Sequence, residues 1–407
     1  MANTFEIIGK LSISKESEKF KPYEVTSYPS GWAKSRLLFN VQSAENRHML
    51  TSEGMYKEDG TGFVYSFTKG EVDPTTHERK KGEKIQIPWK DRNKPEVIEN
   101  IAEFKKLVVD LEKYGRRYEL ENALEKQEKG ILTEEELSKL GVADIKAALE
   151  ESKKKRKVFL AEYDYTEFLQ KLISSGKVDN KLFKVSGDIV WSEYNGKIYK
   201  KLVPSRIYLV DDNEPQTSTG LIEIYYNKDS LDTASFETTK KHYVNGFIRN
   251  YDNQRKENIA CPVQLVIDGS KEGEKVEKFV KIMENQFTVE DDSWKEFGVK
   301  VKILDGAQKA EITEDMLTDF QKEMLELEVI TMDDIRKELG GDVYGEKVQE
   351  MIIVNVSRGF TKGRKDTVYI DSDFEIKSIV NTPEETSNAN DEEIGDVLDD
   401  LDDLDIM

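Results

Sequence analysis

Three stretches of the sequence share one frame: FEIIGKL at residues 5–11, FKVSGDI at 183–189 and HYVNGFI at 242–248. In each stretch, aliphatic residues lie two positions before and two positions after a glycine, in the period-2 alternation of a half-buried strand. A glycine in phase with the buried residues of a strand is typical of a bulge or a sharp bend, which a small closed barrel needs. The frame favours β-barrels over flat sheets, although any half-buried strand alternates in this way.

The elements around these stretches follow a recognisable order. Residues 1–90 predict short strands separated by Pro and Gly, and Pro95 to Arg156 is rich in Glu, Lys, Leu and Ala at helical spacing. We predict a helical hairpin there, with a capping box at Thr133. A short helix and a long β-hairpin around Asn195-Gly196 follow. Strands, helix and hairpin come in the order of an OB-fold, a five-stranded barrel with a helix between its third and fourth strands.

The predicted fold class is therefore α+β, with OB-like β-barrel domains, a helical-hairpin insertion and a disordered acidic C-terminal tail. The first predicted domain spans residues 1–210 and carries the insertion at about 95–156. The polar linker DDNEPQTSTG opens a second mixed α+β, OB-like domain at residues 211–380, and residues 381–407 form the tail.

Charge is distributed unevenly along the 407 residues. The formal net charge is -20, and residues 384–407 contain eleven acidic and no basic residues, which leaves -9 for the rest. Such a self-repelling segment without aromatic residues is expected to be disordered in isolation. Most of the acidic excess is thus separate from the folded part, and a polyanionic partner for the folded part stays possible.

Composition excludes several classes of site. One Cys and three His give no disulfide and no zinc-ligand spacing, and we expect no metal and no cofactor. The sequence contains no nucleotide-binding or nucleophile motif, so we expect no enzyme, although the pairs Asp371/Asp373 and Asp291/Asp292 could hold a metal. No apolar run is long enough for a membrane helix and the start lacks a secretory signal, which predicts a cytoplasmic protein, or one of the host cytoplasm if viral.

Two strands carry aromatic and basic residues on the face opposite the glycine frame. Two-residue loop geometry pairs Tyr194 with Lys197 and Ser192 with Tyr199 on one face of the Asn195-Gly196 hairpin. Aromatic rings stack on bases and cations meet phosphates, as a single-strand groove requires. Tyr and Lys are also favoured on any solvated strand face, and the Trp of the loop GWAKSR could equally cap a core. The residues predicted to contact nucleic acid are Trp32, Lys34, Arg36, Tyr194, Lys197, Tyr199, Lys201, Tyr243, Phe247, Arg249, Tyr251 and Arg255.

Apolar residues recur among the aspartates of the tail. Such an acidic amphipathic peptide can fold onto a partner's basic, apolar groove, or compete with a polyanion for the chain's own basic channel. A simple solubilising role is the alternative. The residues predicted to bind a partner are Leu401, Asp402, Asp403, Leu404, Asp405 and Ile406.

Together these features resemble single-stranded DNA-binding proteins of the OB-fold kind, particularly the larger versions of tailed bacteriophages. The tail is similar to that of the bacterial proteins, whose apolar tip recruits replication and repair proteins, but DDLDIM at 402–407 lacks their terminal Pro-Phe. The resemblance implies non-catalytic binding and protection of single-stranded DNA in replication or recombination. Its partners are then DNA and, through the tail, replication or recombination proteins, without a membrane.

A second hypothesis comes from another class of protein. An acidic interaction or structural viral protein, such as an assembly factor or a DNA mimic, would explain the net charge of -20 without nucleic-acid binding. It leaves the two aromatic and basic strand faces unexplained.

Overall fold

The computed structural model describes residues 3–18, 20–70, 80–194, 197–252, 257–309, 317–327, 329–331, 344–356 and 368–375. The strands are β1 (Thr4–Ser12), β2 (Tyr23–Ser27), β3 (Trp32–Ser43), β4 (Asn46–Lys57), β5 (Phe63–Phe67), β6 (Lys84–Pro88), β7 (Leu107–Lys113), β8 (Arg156–Phe159), β9 (Leu182–Tyr194), β10 (Lys197–Leu209), β11 (Ser218–Tyr226), β12 (Leu231–Asp232), β13 (Lys241–Asp252), β14 (Glu257–Asp268), β15 (Lys295–Lys309) and β16 (Tyr344–Val356). The helices are α1 (Pro95–Asn100), α2 (Arg116–Glu128), α3 (Glu134–Leu140), α4 (Ile145–Lys154), α5 (Glu162–Ser174), α6 (Phe236–Thr239), α7 (Glu274–Phe287) and α8 (Asp319–Glu326). The fold is thus mixed α+β and mostly strand.

The chain folds as two compact units. The N-terminal unit comprises Lys10–Asn40 and Met49–Glu214, and the C-terminal unit comprises Met1–Gly9, Val41–His48 and Pro215–Glu375. The domain limits expected from the sequence, 1–210, 211–380 and 381–407, stay predictions. Among the helices that the structure describes, none combines the length and the apolar character needed to cross a membrane.

Five strands pair in a closed cycle, of which β9, β10 and most of β3 and β4 belong to the N-terminal unit, whereas Thr4–Gly9 of β1 belongs to the C-terminal unit. β1 pairs with β3, β3 with β4, β4 with β10, β10 with β9, and β9 again with β1. The β4–β10 contact is parallel, with Leu50 opposite Leu202, whereas β9 and β10 form a long antiparallel hairpin. Helix α5 lies in the chain between the third strand, β4, and the fourth, β9.

The C-terminal unit repeats the same cycle with other strands. β11 pairs with β13, β13 with β14, β14 with β16, β16 with β15, and β15 again with β11. The β14–β16 contact is again the parallel one, with Val266 opposite Ile352. Helix α7 again connects the third strand to the fourth, and it buries Val280, Met283 and Phe287. Each cycle therefore has the strand order first, second, third, fifth, fourth.

The glycines of the repeated frame lie where two backbones approach closely. A β-carbon on Gly187 would stand 2.0 Å from the carbonyl oxygen of Val203, and one on Gly246 would stand 2.6 Å from that of Tyr225. Gly9 has the same relation to Gln42, at 2.3 Å. Any larger residue would push the neighbouring strand away, which explains why the alternating pattern is interrupted by glycine at these points.

The insertion between β4 and α5 differs from the predicted helical hairpin. Leu107–Lys113 forms strand β7, which pairs with β8 and with β10. Val108 and Val109 are buried, and β-branched residues suit a strand that has partners on both sides. The helical part is therefore confined to α1 and to α2–α4. The predicted capping box at Thr133 is confirmed, since its Oγ1 accepts a hydrogen bond from the Glu136 amide at 3.2 Å.

Candidate nucleic-acid interface

The β9–β10 hairpin has the predicted register. Lys197 pairs with Tyr194, Tyr199 with Ser192 and Lys201 with Val190. On the opposite face, which the glycine frame predicted to be buried, Phe183, Val185, Ile189, Trp191 and Leu202 are buried, whereas Ile198 is only partly buried. Val190 is 40% exposed, so Tyr199 and Lys201 extend from the outer face of the hairpin. The turn residues 195–196 and the Tyr194 side chain lie outside the described residues.

A β-bulge adds residues to this outer face that the sequence analysis missed. The register shifts between Pro204 and Arg206, after which Arg206 pairs with Ser186 and Tyr208 with Lys184. Strict alternation from Lys201 would have pointed both residues into the core. Proline within a strand is typical of a bulge, so Pro204 was the signal that could have revealed them.

The bulge brings a second group of rings and cations together. The Tyr114 ring meets the Tyr208 ring edge-on with centroids 5.5 Å apart, and the Lys184 ammonium lies 5.3 Å from the Tyr114 centroid. Burial raises the pKa of the Tyr208 hydroxyl, so this ring stays uncharged at neutral pH. The aromatic and basic character of the hairpin thus extends towards its base.

Strand β3 contributes three of the predicted contact residues. Trp32, Lys34 and Arg36 alternate with the buried residues Ala33 and Ser35, so they lie on the outer face. Trp32 is 37% exposed. The Arg36 guanidinium forms an ion pair with Glu24 at 3.2 Å, on the neighbouring strand β2.

One carboxylate joins two cations that are distant in the sequence. Glu53 of β4 lies 3.2 Å from the Lys34 ammonium and 3.7 Å from the Lys201 ammonium. Burial raises the pKa of Glu53, but the charges of Lys201 and Lys34 outweigh that effect and hold the pKa below its ordinary value. The carboxylate is therefore ionised at neutral pH and neutralises part of the charge of both lysines. Glu53 was not among the predicted site residues, because its position between the strands depends on the fold.

In the C-terminal unit, β13 also separates its two faces as predicted. His242, Val244 and Ile248 are buried, whereas Tyr251 on the other face is 57% exposed. Tyr243, Phe247 and Arg249 are partly buried. Arg255 lies outside the described residues, as do the tail and its predicted partner-binding residues.

A short segment of the chain, Val368–Glu375, contacts the outer face of β13. The Phe374 ring lies 5.6 Å from the Phe247 ring, and Asp373 forms an ion pair with Arg249 at 3.6 Å. The Arg249 guanidinium also lies 5.4 Å from the Tyr369 ring. Two predicted contact residues are thus already engaged within the chain, which the sequence of β13 alone does not reveal.

Beside Phe247 this segment forms one wall of a groove of about 420 Å³. The Trp294 ring stacks on Phe374 with centroids 3.9 Å apart, and its indole N–H donates to Asp371 Oδ1 at 2.8 Å. The charged residues that line the groove are Asp229, Asp371 and Glu375, so its aromatic interior has an acidic rim.

Comparisons with known proteins give little further information. No protein-family model matches the chain, and no curated protein is similar to it in sequence. Among solved structures, the chain is similar to a deletion mutant of the single-stranded DNA binding protein from Thermus aquaticus, over 74% of this chain and 86% of that chain. The identity is 11% and the TM-score is 0.27, so this likeness is too distant to carry the assignment of a fold or a function.

Proposed function

We propose that the protein binds and protects single-stranded DNA, without catalysis, through two OB barrels. The observation that carries this proposal is the five-stranded cycle with a parallel contact between third and fifth strands, found twice along the chain. In both cycles a helix lies between the third and fourth strands. An OB-fold is a partly open five-stranded barrel that binds oligonucleotides.

The binding surface of the N-terminal barrel follows from the side chains on its outer face. Lys34, Lys197 and Lys201 neutralise phosphates, and the rings of Trp32 and Tyr199 stack on bases. Both kinds of contact tolerate any sequence, because every nucleotide has a phosphate and a π-face. Arg36 extends this surface along β3, and Tyr194, which pairs with Lys197 in the register of the hairpin, is a further ring predicted from the sequence.

The C-terminal barrel has a different surface. Tyr243 and Tyr251 supply rings along β13 and Arg249 supplies charge, to which the sequence adds the predicted contact residue Arg255. Arg249 is paired with Asp373, as Lys34, Arg36 and Lys201 of the N-terminal barrel are with other carboxylates. Because the N-terminal barrel carries four of the predicted contact cations and the C-terminal barrel two, we infer that the N-terminal barrel contributes most of the electrostatic affinity.

The biological setting is the replication or recombination of DNA, as in the bacteriophage proteins that the sequence resembles. The acidic tail, residues 381–407, recruits other replication or recombination proteins, or competes with DNA for the basic surface. If the tail competes, its removal after residue 383 strengthens DNA binding. If it recruits, full-length protein captures partners that the shortened protein does not.

A nuclease-protection assay tests the proposal. A labelled thymidine oligomer is treated with a single-strand nuclease, with and without the protein, and in parallel with the protein and Mg²⁺ alone. If the protein coats single-stranded DNA without catalysis, the oligomer is protected from the nuclease, and it also stays intact in the reaction that contains only the protein and Mg²⁺. Degradation by the protein and Mg²⁺ would instead indicate an enzyme, for which the acidic pairs would be the candidate metal ligands.

One observation favours the alternative of an acidic interaction protein or structural viral protein. Several predicted contact cations, namely Lys34, Arg36, Lys201 and Arg249, form ion pairs with carboxylates of the same chain. If these pairs persist in solution, the surface attracts a polyanion less strongly. Absence of protection at low ionic strength, together with capture of proteins by the full chain, would favour this alternative.

A further inference from the structure

The groove beside Phe247 has the size and the walls of a small-ligand site. Its volume of about 420 Å³ lies within the roughly 300–1,000 Å³ typical of such sites. Phe247, Trp294 and Phe374 line it, and Trp294 stands at 70° to the Phe247 ring with centroids 5.8 Å apart. Phe374 is buried, whereas Phe247 and Trp294 are only partly buried and offer apolar ring surface on which a planar ligand can stack.

The open side of the groove presents a fixed arrangement of polar groups. Asn245 Oδ1 accepts a hydrogen bond from Gln264 Nε2 at 2.9 Å, so the Asn245 amide offers its nitrogen, a donor, to a ligand. The Asn245 backbone N–H donates to Ser230 O at 2.8 Å, so the Asn245 backbone lies beside the turn that carries Asp229, and both residues line the groove. The carboxylate of Asp229, unlike the amide of Asn245, can only accept hydrogen bonds from a ligand.

The turn that carries Asp229 is held by its own hydrogen bonds. The Asp229 amide donates to Asn227 Oδ1 at 3.1 Å, and the Asn227 amide donates to Ser230 Oγ at 3.0 Å. These bonds fix the backbone of the turn from which the exposed Asp229 side chain extends. Asp371, the other aspartate of the lining, already accepts from the Trp294 indole.

The charge of the rim decides what can enter. All three charged lining residues are acidic, so the groove repels a phosphate and accepts an uncharged or cationic ring that carries donors. The Watson–Crick edge of guanine has one acceptor, O6, followed by two donors, N1–H and N2–H. An amide donor next to a carboxylate complements that order, whereas thymine, adenine and cytosine present other orders.

We propose that this groove binds a guanine base of single-stranded DNA, with O6 accepting from Asn245 Nδ2 and the two donors facing Asp229. The inference rests on the proposed DNA-binding function and adds a base preference to it. An arginine side chain of a protein partner would also stack and pair with Asp229, but a guanidinium has no acceptor for the Asn245 donor. Guanine uses both groups.

A competition assay with the full chain tests this inference. The protein is bound to a labelled thymidine oligomer and displaced either by unlabelled thymidine oligomer or by the same oligomer with single, well-separated guanines. We expect the guanine-containing competitor to be effective at about tenfold lower concentration, within the discrimination that one bidentate base contact provides. In D229N we expect the two competitors to become equal while binding of the thymidine oligomer is retained.

D292N is the matched control. It removes the same charge from the same unit, but Asp292 pairs with Lys228 and is not part of the groove lining. D292N should keep the guanine preference. Thermal unfolding of D229N and D292N at the temperature of the wild type shows that both variants are folded.

Equal competition in the wild type, or a preference that survives in D229N, would overturn the guanine site while leaving DNA binding intact. Loss of the preference in D292N as well would mean that charge alone causes it, which also overturns the site. A short arginine-rich peptide can be used as a further competitor. If it displaces the labelled oligomer from the wild type at a lower concentration than the guanine-containing oligomer does, and does not displace it from D229N, the groove is assigned to a protein partner. Failure to bind any oligomer would count against the proposed function itself.

Discussion

Gly187 and Pro204 face each other across the β9–β10 hairpin, and the backbone of β10 passes so close to Gly187 that a β-carbon there would lie 2.8 Å from the Pro204 Cα. The register of the hairpin shifts directly after this pair. The close approach and the bulge together return Arg206 and Tyr208 to the outer face. Gly187 therefore marks the point at which the partner strand β10 switches the residues that it turns to the outer face.

This relationship predicts the effect of Gly187→Ala. The added methyl group meets the carbonyl oxygen of Val203 at 2.0 Å, so the two strands must separate and overpacking should cost about 1–3 kcal/mol of unfolding free energy. Chemical denaturation followed by circular dichroism measures it. Gly62→Ala is the control, since its β-carbon would have its closest neighbour at 3.5 Å. Equal stability of the two variants would show that the strands do not approach so closely.

Stacking on the outer face of the hairpin predicts the effect of Tyr199→Ala. Loss of one stacked base should weaken binding of a thymidine oligomer by about 1–3 kcal/mol. Fluorescence anisotropy gives the dissociation constants. Tyr118→Ala is the matched control, because Tyr118 is 68% exposed on α2 and belongs to neither predicted surface. If both variants bind like the wild type, Tyr199 does not stack on DNA.

The shared carboxylate of Glu53 predicts a gain of affinity. Glu53→Gln removes the negative charge between Lys34 and Lys201, so both ammonium groups attract phosphates without competition from the carboxylate and binding should tighten several-fold at low salt. Glu125→Gln is the control, because it changes the net charge equally. Glu125 lies on α2, and its partner Lys129 caps the end of that helix, so neither residue belongs to the predicted surfaces. A gain of the same size in the control would reveal an effect of net charge alone.

The lowered pKa of Glu53 predicts how stability depends on pH. A carboxylate whose pKa is lower in the folded than in the unfolded state stabilises the fold above its ordinary pKa of 4.5, and it loses that contribution as the pH falls through the folded-state value. The free energy of unfolding of the wild type should therefore exceed that of Glu53→Gln at neutral pH, and the difference should shrink below pH 4.5. Urea denaturation at several pH values measures this difference. A constant difference over that range would contradict the ion-pair account.

Local alternation made much of the hairpin predictable from the sequence. The buried residues Phe183, Val185 and Ile189 and the outward Lys201 follow a period of two, and the two-residue loop set their register. The bulge after Pro204 broke that period, so the outward positions beyond it were missed. Alternation describes a strand only as long as its phase is kept.

Contacts between distant parts of the chain could not be predicted in the same way. Leu107–Lys113 lies within the stretch whose spacing predicted a helix, and it forms a strand because β8 and β10 supply backbone partners. The position of Glu53 between two lysines and the contact of Phe374 with Phe247 also depend on pairings that only the folded chain creates. These contacts decide how much free charge and which aromatic surface remain for a ligand.

The most direct test of DNA binding is a salt titration of the full chain with a labelled thymidine oligomer, with duplex DNA as competitor. Each neutralised phosphate contributes about -0.7 to the slope of log affinity against log salt, so Lys34, Lys197 and Lys201 predict a slope of about -2. We expect tight binding with such a slope, and little displacement by duplex. A flat salt profile, or no binding at low salt, would contradict the account.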